Sequence, residues 1–267
     1  MLIAQISDCH IVEPDRLFAD QVDSAAGLRA AIGAIGALDR RPDLVLATGD
    51  LVNDGTSEQY DHLEEILGGL DIPVIPVAGN HDDRTELRRR FGGVVPSGEP
   101  GDPICFTIDD HQVRLVILDT TIPGRHDGAI DDDQLAWLED QLRACPDRPT
   151  IVVQHHPPFI TGLRWMDEHC GFATGEAEAA VLSGHDHVEA VVCGHLHRAI
   201  QRRLATTIAM VCPSTAAPLD LELGDGPFAY STEPTGFLLH EWRPENGLTS
   251  HVVSIGEHRR WTPTWSE

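Results

Sequence analysis

Short apolar runs alternate with longer amphipathic stretches along the first half of the chain. The apolar runs have the length and β-branched content of buried strands, and they lie at residues 2–7, 43–48 and 72–78. Helical spacing of apolar residues between and after them predicts helices at 22–39, 57–69 and 83–91. Strands separated by helices of this length indicate βαβ units. The pattern predicts an α/β fold with a mainly parallel central sheet.

The second half of the chain contains shorter elements. FTIDD and VRLVILDT flank a turn-like His111–Gln112 and predict an adjacent strand pair. Further helices are predicted at 132–144 and 174–183, and further strands at 150–154, 188–193, 206–211, 236–242 and 250–255. The irregular segment 213–235 is rich in Pro, Gly, Ser and Thr, which favours a lid or binding loop. We expect one domain over 1–267, with a C-terminal tail at 256–267.

Composition excludes several kinds of chemistry. The chain has 267 residues, of which 43 are acidic and 19 basic, for a formal charge of −24. All the basic residues are arginine, so lysine Schiff bases and the lysine of a GxxxxGK[ST] phosphate loop are excluded. A basic groove for a nucleic-acid polymer is disfavoured, because such affinity comes from neutralising phosphates. The dense run Arg88–Arg90 is interpreted as a solvated helix end.

The N-terminus and the cysteines bear on compartment. No basic segment or cleavage site precedes the first apolar run, and Asp8 interrupts that run too early for a signal peptide. No apolar run approaches the ~18 residues of a spanning helix. The six cysteines are scattered without a CxxC pair and are expected to be buried free thiols. These features predict a cytoplasmic protein with no membrane partner.

Polar side chains follow five of the predicted strands where each strand ends. The blocks are Asp8–His10, Gly49–Asp50, Gly79–Asp82, His155–Pro158 and Gly194–His197. Ligands of open α/β sheets gather at the carboxyl ends of the strands. Each block alone has an ordinary explanation as a cap, a turn or a packed loop.

Together the five blocks indicate a metal site. They share one position in the predicted sheet, and their residue types are Asp, Asn and His with no thiolate. Such ligands suit Mn, Fe, Co or Zn, and no one of these ions is singled out. Seven or eight ligands exceed the four of a closed structural zinc site, so two divalent metal ions are expected.

The ordered blocks DxH, GD with a later Gly55, GNHD, HHP and GHLH resemble the calcineurin-like metallophosphoesterases. ISDCH and GDLVNDG further resemble the bacterial cyclic-nucleotide and glycerophosphodiester phosphodiesterases of that superfamily. The resemblance implies a four-layer αββα sandwich of two mixed β-sheets flanked by helices, with a small C-terminal lid. It also implies a ligand set of Asp8, His10 and His197 for one metal, Asn80, His156 and His195 for the other, and Asp50 bridging both. In this assignment, His156 is preferred to His155.

The resemblance implies phosphodiester hydrolysis by a hydroxide shared between two metals ~3.5–4 Å apart. His81 faces the substrate in this reading and supplies a proton to the leaving group. Asp50 and Asn80 contribute as catalytic metal ligands. Two divalent ions, two carboxylates and a hydroxide leave a charge of about +1, which matches a diester monoanion. Asp54 stands where the protein Ser/Thr phosphatases carry arginine, which argues against a phosphomonoesterase of that type.

The substrate stays open between two classes of small phosphodiester. We favour glycerophosphodiester-type substrates with broad specificity, because segment 213–235 offers few aromatics, Phe228 and Tyr230, to stack a base. The alternative is a 3′,5′-cyclic nucleotide, followed by a phosphomonoester, a nuclease substrate or a non-catalytic binding module. Trp165, Phe159 and Met166 follow the HHPP block and are expected to line the pocket or an oligomer contact. The late tryptophans Trp242, Trp261 and Trp265 favour a homo-oligomer.

Overall fold

Two β-sheets stack face to face in the computed structural model, which describes residues 1–259, 261–263 and 265. Strand bounds in the first sheet are β1 Leu2–Ile6, β2 Leu44–Thr48, β3 Val74–Val77, β10 Gly236–Arg243 and β11 Gly247–Ser254. Those in the second are β4 Phe106–Ile108, β5 Arg114–Ile117, β6 Thr150–Val153, β7 Val188–Cys193, β8 Ile200–Leu204 and β9 Thr207–Val211.

Both sheets are mixed around a parallel centre. The first has the order β11-β10-β1-β2-β3, with β1, β2 and β3 parallel and β10 antiparallel to β1. The second has the order β4-β5-β6-β7-β9-β8, with β5, β6, β7 and β9 parallel and antiparallel strands at both edges. The parallel strands therefore bring their carboxyl ends to one rim of the sandwich.

Helices occupy the outer faces of the sandwich. Their bounds are α1 Ser24–Gly36, α2 Ser57–Leu67, α3 Arg84–Arg90, α4 Asp132–Ala144, α5 Arg164–His169 and α6 Gly175–Leu182. Side chains that precede the first turn cap several of them, as the Asp131 carboxylate does by accepting from the Gln134 amide of α4. Among the described residues, no helix is both long and apolar enough to cross a membrane.

Alternate residues of the second sheet are buried on opposite faces. Ile151 and Val153 of β6 join the hydrophobic cluster shared with the first sheet, whereas Val152 joins the cluster beneath α4 and α6. Both faces of the parallel strands are covered, and for this reason they appear in the sequence as continuous apolar runs. The sandwich of two mixed sheets flanked by helices is confirmed.

The predicted elements compare closely with the observed ones. The helix at 132–144 and the strand at 188–193 are confirmed to the residue, and FTIDD and VRLVILDT do form the adjacent pair β4–β5. The sequence pattern suggested one central sheet, whereas the structure has two. It also missed β8 and α5. Part of the tail at 256–267 lies outside the described residues.

Candidate metal centre

The predicted ligand blocks converge where the parallel strands of both sheets end. Five of their residues have left-handed backbone conformations that are uncommon for residues other than glycine, with φ between 42° and 73°: Asp8, His10, Asp50, His195 and His197. Such backbone strain is retained where the surrounding structure imposes it, and it clusters at functional sites. The tight turns aim these side chains into the rim instead of along the strands.

The first group of ligand atoms belongs to Asp8, His10 and His197. All three side chains are buried, and their ligand atoms lie within 4.8 Å of one another. The Nε2 atoms of His10 and His197 are 3.1 Å apart, and the His197 Nε2 lies 3.6 Å from a carboxylate oxygen of Asp8. His197 donates its Nδ1 proton to the Ala217 carbonyl, so its Nε2 is free to bind a metal.

The second group of ligand atoms surrounds His155. Its Nε2 lies 3.1 Å from the Asn80 amide oxygen and 3.4 Å from a carboxylate oxygen of Asp50. Its ligand atom also lies within 4.8 Å of that of His195. His195 donates its Nε2 proton to the Cys170 carbonyl and so presents its Nδ1. The carbonyl groups behind the rings thus determine which nitrogen each imidazole offers.

His156, which the motif selected as the ligand, lies close to the same group but has partners at both nitrogens. Its Nδ1 accepts from the Thr120 hydroxyl at 2.9 Å, and its Nε2 donates to the His126 carbonyl at 3.2 Å. His155 donates its Nδ1 proton to the Thr48 carbonyl and turns its Nε2 towards Asp50. The contacts therefore favour His155 over the predicted His156.

Asp50 lies between the two groups. Its carboxylate oxygen is 3.7 Å from the His10 Nε2 on one side and 3.4 Å from the His155 Nε2 on the other. Burial alone would raise the pKa of Asp50, but the imidazoles of His155 and His81 hold it well below its usual range. This carboxylate is therefore ionised and available to both groups.

Burial keeps most of the imidazoles neutral. Desolvation lowers the pKa of His195 to about 3 and holds the pKa values of His10 and His156 well below their usual range. His155 differs: although burial opposes its charge, the Asp50 and Asp8 carboxylates raise its pKa to about 9. The rim therefore combines neutral nitrogen donors with a position that favours a positive charge.

The donor set fits two divalent metal ions. Two nitrogen ligands ~2.1 Å from one ion in tetrahedral geometry lie roughly 3.4 Å apart, close to the 3.1 Å between the His10 and His197 Nε2 atoms. In the second group, one oxygen of Asp50 and one of Asn80 face the His155 Nε2. A metal ion bound between these three atoms would supply the positive charge that the surrounding carboxylates favour. Because Asp50 reaches both groups, the two ions would share it as a ligand.

Close backbone packing positions the ligands. A Cβ added to Gly49, whose φ is +87°, would overlap the His155 ring, so only glycine fits this turn. The half-buried Asp82 carboxylate accepts from the Leu51 and Gly79 amides, which links the loops after β2 and β3. Burial, together with the charge of Asp50, raises the pKa of Asp82 to about 7. These contacts fix both loops relative to each other.

A cavity of about 180 Å³, here called the central cavity, opens over the ligand groups. His81 and His126 line it beside Asp50 and Asn80. The His81 Nδ1 donates to the Asn53 carbonyl at 2.6 Å, which leaves its Nε2 for another partner. The His126 Nδ1 lies 3.1 Å from the Asn80 amide nitrogen. Two further imidazoles thus reach the place where a substrate would lie, and the ligand atom of His81 also lies within 4.8 Å of those of His10 and Asp50.

Aromatic side chains form the outer wall of the central cavity. Trp165, Phe228 and Tyr230 line it, and neighbouring rings are 5.0–5.1 Å apart between centroids. Phe18 contacts Tyr230 with a centroid distance of 5.3 Å. Segment 213–235 alone supplies Phe228 and Tyr230. The structure adds Trp165 from α5, as the pocket interpretation of that residue predicted, and Phe18 from the loop after β1 packs against Tyr230.

Most predicted site residues therefore meet at one rim, and His126 is the main functional candidate that sequence reasoning missed. It lies in the loop that follows β5, a parallel strand of the second sheet. The strand-end rule would have found it, because β5 ends at the same rim as β6 and β7.

Segment 213–235 is also less lid-like than expected, because residues 213–219 are buried and only later ones are exposed.

Comparison with known proteins identifies the family. The sequence profile of the calcineurin-like phosphoesterases matches residues 1–199, which include all five ligand blocks. The chain is 33% identical over 268 residues to the probable glycerophosphodiester phosphodiesterase GpdQ of Arcobacter nitrofigilis, covering 100% of this chain and 98% of that one. It is 28% identical over 270 residues to the 3′,5′-cyclic adenosine monophosphate phosphodiesterase CpdA of Escherichia coli K12, with coverages of 99% and 94%.

Solved structures support the fold assignment. A dimetal phosphatase from Danio rerio superposes with a TM-score of 0.66 at 17% identity. The superposition covers 96% of this chain and 99% of the zebrafish protein.

Proposed function

The chain belongs to the calcineurin-like phosphoesterase family, and on that basis we propose that it is a metal-dependent hydrolase of small phosphodiesters. The single observation that carries this proposal is the position of Asp50 between two groups of metal-ligating side chains. Relatives named as glycerophosphodiester and cyclic-nucleotide phosphodiesterases support the reaction class. The reaction adds water to the diester and releases an alcohol and a phosphomonoester.

We propose that Asp8, His10 and His197 hold one ion and that Asn80, His155 and His195 hold the other, with Asp50 shared. His155 replaces His156 in this set because its Nε2 faces Asp50 and Asn80, whereas both nitrogens of His156 have protein partners. Two divalent ions bound there would polarise the phosphoryl oxygens and activate a water for attack. The ligand types fit Mn, Fe, Co or Zn alike.

His81 is the proposed proton donor to the leaving alcohol. It lines the central cavity, and the Asn53 carbonyl holds its Nδ1 proton, so a proton at Nε2 is the one it can give. His126 lies on the same wall, where its ring centroid is 5.3 Å from that of His81. This second imidazole is suited to binding a phosphoryl oxygen.

The charge of the cavity wall favours a diester over a monoester. Among the described residues that line the central cavity, none is arginine, and the chain has no lysine. A monoester dianion would therefore meet no cationic side chain beyond the metals and any protonated histidine. Comparing bis-p-nitrophenyl phosphate with p-nitrophenyl phosphate after reconstitution with Mn, Co or Zn tests this point. Faster turnover of the monoester would refute the proposed reaction class.

A second candidate substrate class is the 3′,5′-cyclic nucleotides. The aromatic wall of Trp165, Phe228 and Tyr230 favours it, because aromatic side chains stack on nucleobases. Steady-state kinetics with cyclic AMP and with glycerophosphoethanolamine separate the two classes. The small glycerophosphodiester-type substrates stay first because the relative named for them is 33% identical over the whole chain and the cyclic AMP phosphodiesterase is 28% identical. A strong preference for cyclic AMP would reverse that order.

We further propose a cytoplasmic homo-oligomer that does not bind nucleic-acid polymers or membranes. Trp261 is 72% exposed and Trp265 is 84% exposed, which supports a contact near the C-terminus. Light scattering of the purified protein tests the oligomer. The charge of −24 supports the exclusion of polyanionic partners.

A further inference from the structure

The glutamine in the first turn of α2 is fully buried and forms no part of the metal-ligand groups. Gln59 is 0% exposed, and it lies three residues after Thr56, the N-cap of α2. A glutamine at this position of a helix commonly accepts from the N-cap amide. In this structure its side-chain oxygen instead accepts from the Asp54 amide at 2.7 Å. Gln59 therefore reaches back to the loop that follows β2.

Both polar atoms of the Gln59 side chain have partners. The nitrogen donates to a carboxylate oxygen of Asp54 at 2.8 Å and to one of Glu13 at 3.1 Å. These two acceptors, together with the donating Asp54 amide, allow only one orientation of the side-chain amide. Hydrogen bonds from the Asn53 and Gln59 side chains also hold the pKa of Asp54 below its usual range, so this carboxylate is ionised. Gln59 is thus fixed between the loops that follow β1 and β2.

The Asp54 amide and the Asn53 carbonyl belong to the same peptide group. That carbonyl accepts the Nδ1 proton of His81 at 2.6 Å. Because a trans peptide group is planar and its N–H and C=O point in opposite directions, fixing the N–H also fixes the direction of the carbonyl. Hydrogen bonds that follow one another in this way also strengthen one another. A continuous chain of hydrogen bonds therefore joins Gln59 to the His81 imidazole.

Other contacts hold the same turn but leave this peptide group to Gln59. The Asn53 amide donates to the Ile11 carbonyl at 3.1 Å, which ties the turn to the loop after β1. Gly55 has a φ of +67°, and a Cβ added there would lie 3.3 Å from the His81 carbonyl oxygen. Among the residues that the structure describes, Gln59 alone accepts from the Asp54 amide. Removing this side chain would therefore free the peptide group that orients the imidazole.

We propose that Gln59 is a positioning residue for His81 and acts through the peptide group between Asn53 and Asp54. The inference rests on the proposed diesterase function, in which His81 gives its Nε2 proton to the leaving alcohol. The neutral ring that remains carries its proton on Nδ1, which is the tautomer that the Asn53 carbonyl stabilises. Without the Gln59 oxygen the peptide group is free to rotate, and the proton donor loses its alignment with the leaving group.

Leaving-group dependence separates this role from a purely structural one. The test compares methyl phenyl phosphate with methyl p-nitrophenyl phosphate, because the more acidic nitrophenol depends less on a proton donor. In the metal-loaded enzyme, Gln59→Leu should lower kcat/KM for the phenyl ester about tenfold more than for the nitrophenyl ester. Gln59→Met, with an unbranched side chain that packs adaptably, is a second variant with the same expectation. Leu63→Ala truncates a buried residue of the same helix and should leave the ratio of the two kcat/KM values unchanged.

An equal loss for the two esters in the Gln59 variants would overturn the inference while leaving the diesterase proposal intact. His81→Ala is the reference variant and should lower kcat/KM for the phenyl ester more strongly still. If His81→Ala lowers both esters equally, His81 is not the proton donor, and the inference is overturned with that assignment. Turnover of neither ester by the unsubstituted enzyme would count against the diesterase proposal itself.

A spectroscopic measurement tests the same chain of hydrogen bonds without turnover. Two-bond ¹H–¹⁵N correlation spectra of the zinc-loaded protein, recorded at one pH at which the ring is neutral, report which nitrogen of His81 carries the proton. The signals of this ring are assigned by their loss in His81→Gln. We expect the Nδ1–H tautomer in the unsubstituted protein and in Leu63→Ala, and a mixture of both tautomers in Gln59→Leu. An unchanged tautomer in Gln59→Leu would overturn the inference.

Discussion

Replacing His155 with alanine is expected to remove one of two metal sites, whereas replacing His156 is expected to weaken metal binding without removing a site. The two residues are neighbours in sequence and both are fully buried. Their contacts differ, because His155 turns its Nε2 towards Asn80 and Asp50 while His156 uses both nitrogens within the protein. A matched pair of variants therefore separates a metal ligand from a supporting residue.

The expected magnitudes follow from these contacts. His155 would supply one of four ligands to its ion, so its loss should lower the affinity for that ion by more than about 100-fold, or about 2.8 kcal/mol. His156 links the Thr120 hydroxyl to the His126 carbonyl behind the ligand group. Outer contacts of this kind typically contribute 10–100-fold in metal affinity, and His156→Ala should fall in that range.

Metal stoichiometry is the direct measurement. Apo protein is titrated with Mn or Zn and the number of sites is counted by calorimetry, with elemental analysis of the dialysed protein as a second count. We expect two sites in the unsubstituted protein and in His156→Ala, and one tight site in His155→Ala. Circular dichroism of both variants controls for loss of fold.

The reverse pattern would refute the assignment. If His156→Ala binds one ion and His155→Ala binds two, the motif-based choice of His156 is correct. The contacts of His155 with Asn80 and Asp50 would then be structural. Two sites in both variants would mean that neither imidazole is required.

Three further predictions concern stability and site construction. Arg84→Ala should lower the free energy of unfolding in urea by about 3 kcal/mol, because it leaves the buried Asp119 carboxylate without its ion partner, whereas the exposed Arg41→Ala should change it by less than about 0.5 kcal/mol. Burial raises the pKa of Glu178 to about 8. In the unfolded chain this carboxyl group ionises as the pH rises above 4.5, whereas in the folded protein it stays protonated up to its raised pKa. The free energy of unfolding therefore falls between these two pH values. Over that pH range, the free energy of unfolding in urea should fall by up to about 5 kcal/mol more for the unsubstituted protein than for Glu178→Gln. A difference between the two proteins that does not change with pH would contradict a raised pKa for Glu178. Gly49→Ala should reduce metal stoichiometry in calorimetric titration, because its Cβ would overlap the ring beneath it.

Much of the fold was predictable because strands buried on both faces appear as continuous apolar runs. β7 is such a run, and the polar GHLH that follows marks its end. β8 was missed for the opposite reason: it is an edge strand, and its central residues Gln201–Arg203 are exposed. An edge strand with exposed residues does not require an apolar sequence, so the hydrophobic pattern alone could not predict it.

The candidate site was predictable to the extent that strand ends define it. Asp8, Asp50 and Asn80 each follow a parallel strand of the first sheet, and their convergence needs only parallel order. The aromatic wall was less accessible, because Trp165 and Phe228 come from a short helix and a loop that are far apart in the sequence. Their contact depends on how two irregular segments pack, and no periodicity records that.

The choice between His155 and His156 depends on which face of the second sheet turns towards the first. Side chains alternate along an extended strand, and the ladder continues past β6, since the Gln154 amide donates to the Val192 carbonyl and the His155 carbonyl accepts from the Gly194 amide. His155 therefore shares the face of Ile151 and Val153, which pack against the first sheet, where Asp50 lies. His156 shares the opposite face with Val152. Because the residues of β6 are apolar on both faces, the sequence does not show whether the odd-numbered or the even-numbered residues face the first sheet. Only the stacking of two sheets supplies that information, and it points to the first histidine of the pair.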